Sequence, residues 1–227
     1  MVLQFFVIER KARGARESDR TDVMPEAGSP VGEAPRCPSC GRFIGMLKWL
    51  PPYRVEMDTW GEQFGDFAFA GGSEYFLVSD RFREIYMQSG CKGLSGFDPV
   101  EVGRITRHKK KLRNSAPKYF KVDVVRSHTA VDQAASGFEW SEGASVCPAC
   151  LFPKEGVIKR WKGVVIQPEA WDGEDIFVPR GGGEIVATSR FKKLCEANGL
   201  RNAVLIPAER YGHDYYPWEG ITGGPVC

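Results

Sequence analysis

Two Cys-x-x-Cys pairs, Cys37-Pro38-Ser39-Cys40 and Cys147-Pro148-Ala149-Cys150, constrain this chain more than any other feature. Each stands at the head of a longer shared pattern. Trp60-Gly61-Glu62 follows the first pair, and Trp171-Asp172-Gly173 follows the second. Leu77-Val78-Ser79-Asp80-Arg81-Phe82 answers Val186-Ala187-Thr188-Ser189-Arg190-Phe191, and Ser89-Gly90 answers Asn198-Gly199. The offset stays at about 110 residues throughout. One such turn is weak evidence of anything. Two, each followed at nearly the same distance by Trp and then by Ser/Thr-x-Arg-Phe, mark an internal repeat.

Each unit reads the same way locally. Phe76-Leu77-Val78 and Ile185-Val186-Ala187 are short buried-strand candidates after Gly-rich turns. Ser79 and Thr188 then stand where a helix N-cap belongs. Phe82, Ile85 and Tyr86 follow at i, i+3 and i+4, as do Phe191, Leu194 and Cys195, which makes one apolar helix face in each unit. Gly90 and Gly199 are placed to end those helices in the left-handed conformation. Extended segments follow at 94–102 and 203–206. Residues 1–10 predict a first strand, and the polar, Pro/Gly-rich residues 11–36 predict a loop. The expected fold is α+β: two pseudo-repeats of strands plus a short helix. The expected organisation is a first unit over 1–103, a basic connector and strand over 104–126, and a second unit over 127–227, packed as one structural domain.

Four cysteine thiolates close a tetrahedral zinc site and leave no position for water, so a metal here is structural. Cys37, Cys40, Cys147 and Cys150 supply that full set. A compact zinc ribbon keeps its pairs ~15–20 residues apart, and these are far more widely spaced. The repeat resolves this if the two units pack about a pseudo-twofold axis, with one zinc clipping the halves together. Two other readings stand beside zinc: metal-free turns, and a thiol redox pair, which needs one reactive cysteine beside a suitable fold. Of the remaining three of seven cysteines, Cys195 reads as a core residue, Cys91 as partly buried, and Cys227 is terminal.

The formal charge of +2 hides a local imbalance. Residues 104–126 carry Arg104, Arg107, Lys109, Lys110, Lys111, Arg113, Lys118, Lys121 and Arg126 against the single acid Asp123. The counterpart is acidic and aromatic. Glu56, Asp58, Trp60, Glu62 and Asp66 lie in a stretch without Lys or Arg, and Trp171, Asp172, Glu174 and Asp175 lie in the matching part of the second unit. These nine are the candidate partner-binding residues, since acidic patches with aromatics suit a basic protein partner and steer its association. The bland alternative is solvated faces around a linker. The basic run is a candidate for nucleic-acid phosphate, but its only aromatics, Tyr119 and Phe120, sit together near its end, whereas single-strand binding wants them spaced along a groove. A zinc-ribbon-like nucleic-acid-binding or regulatory protein is therefore the runner-up.

No nucleophile elbow, phosphate loop or His-Glu-x-x-His motif is present, and the histidines are only His108, His128 and His213. A non-enzymatic protein without a small-molecule substrate is expected. No run approaches the ~20 apolar residues that span a bilayer. The apolar N-terminus lacks the basic region and cleavage site of a signal peptide, so a cytoplasmic location without a membrane partner is expected.

The double knuckle, the Val78-Ser79-Asp80-Arg81-Phe82 turn and the Val131-Asp132-Gln133-Ala134-Ala135-Ser136-Gly137 approach to the second knuckle resemble the double-CXXCG motif protein family of myxobacteria. That family includes immunity proteins to swarming-inhibition lipoprotein toxins. The resemblance covers most of the chain. The second motif departs from the pattern, with Leu151 standing where Gly41 follows the first. What the resemblance implies is a cytoplasmic immunity protein that binds a cognate toxin delivered by a neighbouring cell. It carries over the four cysteines and no catalytic residue.

Overall fold

The structure is a computed structural model that describes residues 3–10, 20–60, 63–70, 75–107, 110–111 and 116–215. In chain order the first half gives β1 (Phe5–Glu9), β2 (Thr21–Pro25), β3 (Arg54–Thr59), β4 (Phe67–Ala70), β5 (Tyr75–Ser79), α1 (Asp80–Ser89), β6 (Leu94–Arg107), β7 (Lys110–Lys111) and β8 (Tyr119–Val124). The second gives β9 (Arg126–Ala130), β10 (Glu139–Trp140), β11 (Ser145–Val146), β12 (Pro153–Glu155), β13 (Ile158–Trp161), β14 (Ile176–Arg180), β15 (Val186–Thr188), α2 (Ser189–Ala197), β16 (Val204–Pro207) and β17 (His213–Asp214).

Six strands close a barrel in the order β3-β2-β4-β5-β8-β6, sealed by parallel pairing of β3 with β6. Strand alternation explains its sequence. In Phe67-Ala68-Phe69-Ala70 the small Ala68 and Ala70 face the interior, with Val23, Val55, Met57, Leu77 and Tyr119. Phe67 and Phe69 face outward. Small inward residues fit the narrow lumen of a closed sheet. The outward layer, with Phe76, Val78 and Val122, packs against Phe82 and Tyr86 of α1 and Phe191 and Cys195 of α2. It also meets one face of an open sheet ordered β16-β1-β15-β14-β9, through Ile8, Ile176, Val178 and Ala187. The other face of that sheet buries Phe5, Val7, Phe177 and Val186 under Val164 and Ile166. Close approach joins the barrel to the sheet at Gly93, where φ is +115° and a Cβ would lie 1.8 Å from the Ile176 carbonyl oxygen.

The expected α+β fold of two equivalent units is overturned. The protein is mostly β, with two α-helices among the described residues, and the halves differ in architecture. One closes a barrel and the other an open sheet, and β1 of the first half lies inside the second sheet, between β15 and β16. Local periodicity identified the helices and the strands before them. It gave no warning of β2 inside a polar, Pro-rich stretch, nor of barrel closure, which depends on pairing between strands far apart in sequence. In the basic segment over 104–126 the expected strand is β8 at 119–124, and residues 104–107 belong to β6.

What the halves share is one corner. Ser79 Oγ accepts the Phe82 N–H at 3.1 Å, and Thr188 Oγ1 accepts that of Phe191 at 3.4 Å, so both predicted N-caps form. Gly90 ends α1 at φ +67°. The Asp66 carboxylate accepts from Ser79 Oγ (2.8 Å), Arg81 Nη1 (2.7 Å) and the Arg201 N–H (3.0 Å). Asp175 accepts from Thr188 Oγ1 (2.9 Å), Arg190 Nη1 (3.2 Å) and the Lys92 N–H (3.1 Å). The arginines cross over: Arg81 donates to the Asn198 carbonyl beyond α2, and Arg190 to the Ser89 carbonyl at the end of α1.

Candidate metal centre

The first knuckle lies on a hairpin-like arm between β2 and β3. Rungs run up it from Leu50 N–H to the Pro30 carbonyl (2.9 Å), Gly32 N–H to Lys48 (2.7 Å), Ile44 N–H to Pro35 (2.9 Å) and Cys37 N–H to Arg42 (2.8 Å). Trp49, buried in the barrel core, anchors the base. At the tip, Gly41 N–H donates to the Cys37 carbonyl at 2.8 Å with φ +73°. The second knuckle is the loop from β11 to β12 and repeats the geometry. Cys147 N–H donates to Phe152 (2.9 Å) and Leu151 N–H to Cys147 (2.8 Å), with Leu151 at φ +61°. The turn is kept although the glycine is not.

The tips meet. Cys37 Sγ lies 4.0 Å from Cys147 Sγ, and Cys40 Sγ 3.8 Å from Cys150 Sγ. All four sulfurs fall within 4.8 Å of one another, close enough to hold a metal ion. None is in a disulfide, whose sulfurs lie ~2.05 Å apart. Four thiolates ~2.3 Å from a central ion sit at tetrahedron corners roughly 3.8 Å apart, close to the 4.0 Å and 3.8 Å of the two cross-knuckle pairs. The electrostatics fit a cation. Backbone N–H groups of Cys150 and Ala149 hold the Cys147 thiol down at about 6, while burial pushes Cys150 up to about 12. Burial works against ionisation of Cys37, but the N–H groups of Cys40 and Ser39 outweigh it and lower that thiol. The Arg42 N–H favours ionisation of Cys40, yet burial and the sulfurs of Cys147 and Cys37 raise it. Each knuckle thus has one thiol ready to ionise and one held back by its neighbours, and a bound cation removes that conflict.

Residues that the sequence did not single out individually support the turns. Arg42 Nη1 donates to the Pro153 carbonyl across the two knuckles, Gln133 Nε2 to the Leu151 carbonyl, and Arg180 Nη1 to the Ala149 carbonyl at 3.3 Å. Gln133 lies in the stretch before the second knuckle that carries the family resemblance, which was its one sequence signal. A cleft of about 270 Å³ opens beside the cysteines, lined by Ile44, Arg126, His128, Phe152, Pro179 and Arg180 among others.

The profile of the immunity protein family Imm11 matches residues 49–210. The chain belongs to the Imm11 family. No curated protein matches it. The Imm11 match begins at Trp49, so it spans the barrel strands from β3 onward, the open sheet except β1, and the second knuckle, but not the arm that carries Cys37 and Cys40.

In this Imm11 protein the acidic candidates scatter. Asp66 and Asp175 are buried in the corners just described. Trp171 packs edge-on to Phe5 at 6.3 Å and donates its indole N–H to the Glu174 carbonyl at 2.9 Å. Asp172 is exposed and accepts from Ser127 Oγ and the His128 N–H, both at 2.8 Å, and the Ser127 bond first among them lowers its carboxyl. Glu174 is half-buried. Glu56 is exposed on β3, Asp58 accepts from Thr106 Oγ1, and Trp60 lies half-buried with the Arg20 guanidinium 5.5 Å over its ring. Glu62 lies outside the described residues. Cys91 and Cys195 are buried in the interlayer core, and burial lifts the Cys195 thiol to about 12. No helix among the described residues is long and apolar enough to cross a membrane.

Proposed function

We propose that this chain is an immunity protein that binds a cognate, contact-delivered bacterial toxin in the cytoplasm and neutralises it by occupying its surface rather than by catalysis. Membership of the Imm11 family carries the reading. The double-knuckle resemblance adds the toxin class, the swarming-inhibition type. A structural zinc ion held by Cys37, Cys40, Cys147 and Cys150 clips the arm to the second half of the chain, and the tetrahedral sulfur spacing supports that assignment. The nucleic-acid alternative loses ground because part of the basic run is structural: Lys121 is buried against the barrel, paired with Asp123 at 2.6 Å.

The test is co-expression with the toxin encoded beside this chain. The expected result is restored growth and a stable equimolar complex. Unprotected cells together with no complex would overturn the reading.

A further inference from the structure

The arm that carries the first knuckle has the composition of a docking element. Among the described residues, ten large apolar side chains are exposed, and four of them, Val31, Phe43, Met46 and Leu47, lie on this arm. Phe43, Met46 and Leu47 are each more than half exposed within five residues. A folded chain rarely displays so much apolar surface in one short segment without a use for it. Between Pro30 and Leu50 the charged residues are Glu33, Arg36, Arg42 and Lys48, all exposed, three basic and one acidic. The patch continues past the knuckle into a groove of about 510 Å³, where Arg42 meets Phe152, Val157 and Tyr215.

The arm is also held rigid. Its rungs fix the backbone, Trp49 anchors its base, and the Arg36 guanidinium lies 3.8 Å over the Phe43 ring. The cysteine cluster pins its tip. Pre-organised side chains lose little freedom on binding, which favours affinity.

We propose that the arm over residues 30–50 is the toxin-docking element, and that it fits a toxin surface made of an apolar depression ringed by carboxylates. This rests on the immunity reading above and goes beyond the family match, which starts at residue 49. Phe, Met and Arg are enriched in protein interfaces, and a basic side chain beside them such as Lys48 steers a carboxylate-bearing partner. Nucleic acid is the poorer fit, since Val31, Met46 and Leu47 offer no ring on which a base can stack. The acidic faces proposed from composition are a poorer fit too, because Asp66 and Asp175 are buried in the interior.

The test uses the full chain and the toxin encoded beside it, with binding kinetics measured at low and high salt. The double variant Phe43→Ser/Leu47→Ser is expected to weaken the complex at least tenfold, mainly through faster dissociation. Lys48→Glu is expected to slow association at least threefold at low salt and much less at high salt. Met87→Ser, an equally exposed apolar position on α1, is expected to bind like wild type. Because Lys48 is exposed, its variant keeps the test decisive even if the double variant fails to fold. Arm variants within twofold of wild type overturn the docking assignment and leave the immunity reading intact. A wild-type chain that binds no toxin overturns the reading and the assignment with it. Salt-sensitive binding of generic duplex DNA that the arm variants abolish would reassign the arm to nucleic acid.

Discussion

Leu151 holds a φ of +61° where Gly41, at the same point of the other knuckle, holds +73°. A side chain in the left-handed region crowds its own backbone, at a cost of roughly 1–2 kcal/mol, part of which glycine gives back as unfolded-chain entropy. Gly41 has nothing within 4 Å of where its Cβ would lie, so the cost of a side chain there is conformational alone. Gly41→Ala is therefore expected to destabilise the protein by about 1 kcal/mol, whereas in Leu151→Gly the relief of crowding is offset by the loss of the side chain packed over Gly181, leaving stability nearly unchanged. Urea unfolding of the two variants checks this; a lowered midpoint for Gly41→Ala, little change for Leu151→Gly and an unchanged slope in both are the expected result. The clustering of the four cysteines was legible in the sequence, because residue type and the paired spacing point to it. The geometry of the second turn was not, since nothing local says that Leu151 will accept a glycine's conformation. Gly181, which leaves room for the Leu151 side chain, sits thirty residues further along the chain.

The two helix corners are the elements that couple barrel to sheet. Both N-caps were readable from Ser79 and Thr188, because a cap is a local matter. The carboxylates they work with were not. Asp66 and Asp175 lie in acidic, aromatic stretches that look like solvated faces, and only the folded chain brings Arg81 and Arg190 to them. Each arginine spans two elements, holding the aspartate of its own half and a carbonyl at the helix end of the other. Asp175→Ala leaves the Thr188 hydroxyl and the Lys92 N–H without their acceptor, and should cost about 2–4 kcal/mol. Glu56→Ala, at an exposed strand position, should stay within roughly 0.5 kcal/mol of wild type. Chemical denaturation of the pair distinguishes the two environments; equal small effects would contradict the coupling role.

At the scale of the molecule, one half-buried carboxyl makes stability depend on pH. Burial first, then the nearby Glu9 carboxylate, pushes Glu184 up to about 7 from an ordinary value of 4.5. The folded state therefore holds this proton more tightly than the unfolded chain. Its contribution is fully present below about pH 4.5, declines as pH rises to about 7, and is gone above. Glu184→Gln is expected to flatten that slope, raising stability by about 2 kcal/mol at pH 8 and leaving it nearly unchanged at pH 4. Thermal unfolding across that range shows which holds, and a variant destabilised at every pH would contradict the assignment.

Long-range pairing was the least legible layer of this chain. The closure of β3 on β6 and the insertion of β1 beside β15 depend on partners that no local pattern names. The cysteine centre is the exception, a long-range contact written in residue type. It joins an arm before the matched Imm11 region to a knuckle inside it. The most direct test of that centre is metal analysis of freshly purified, reduced full-length chain, run beside Cys37→Ser/Cys147→Ser. One zinc per wild-type chain, lost in the variant together with several degrees of thermal midpoint, is the result predicted. A folded wild-type chain carrying less than a tenth of an equivalent of any metal, with all four thiols freely reactive, would contradict it.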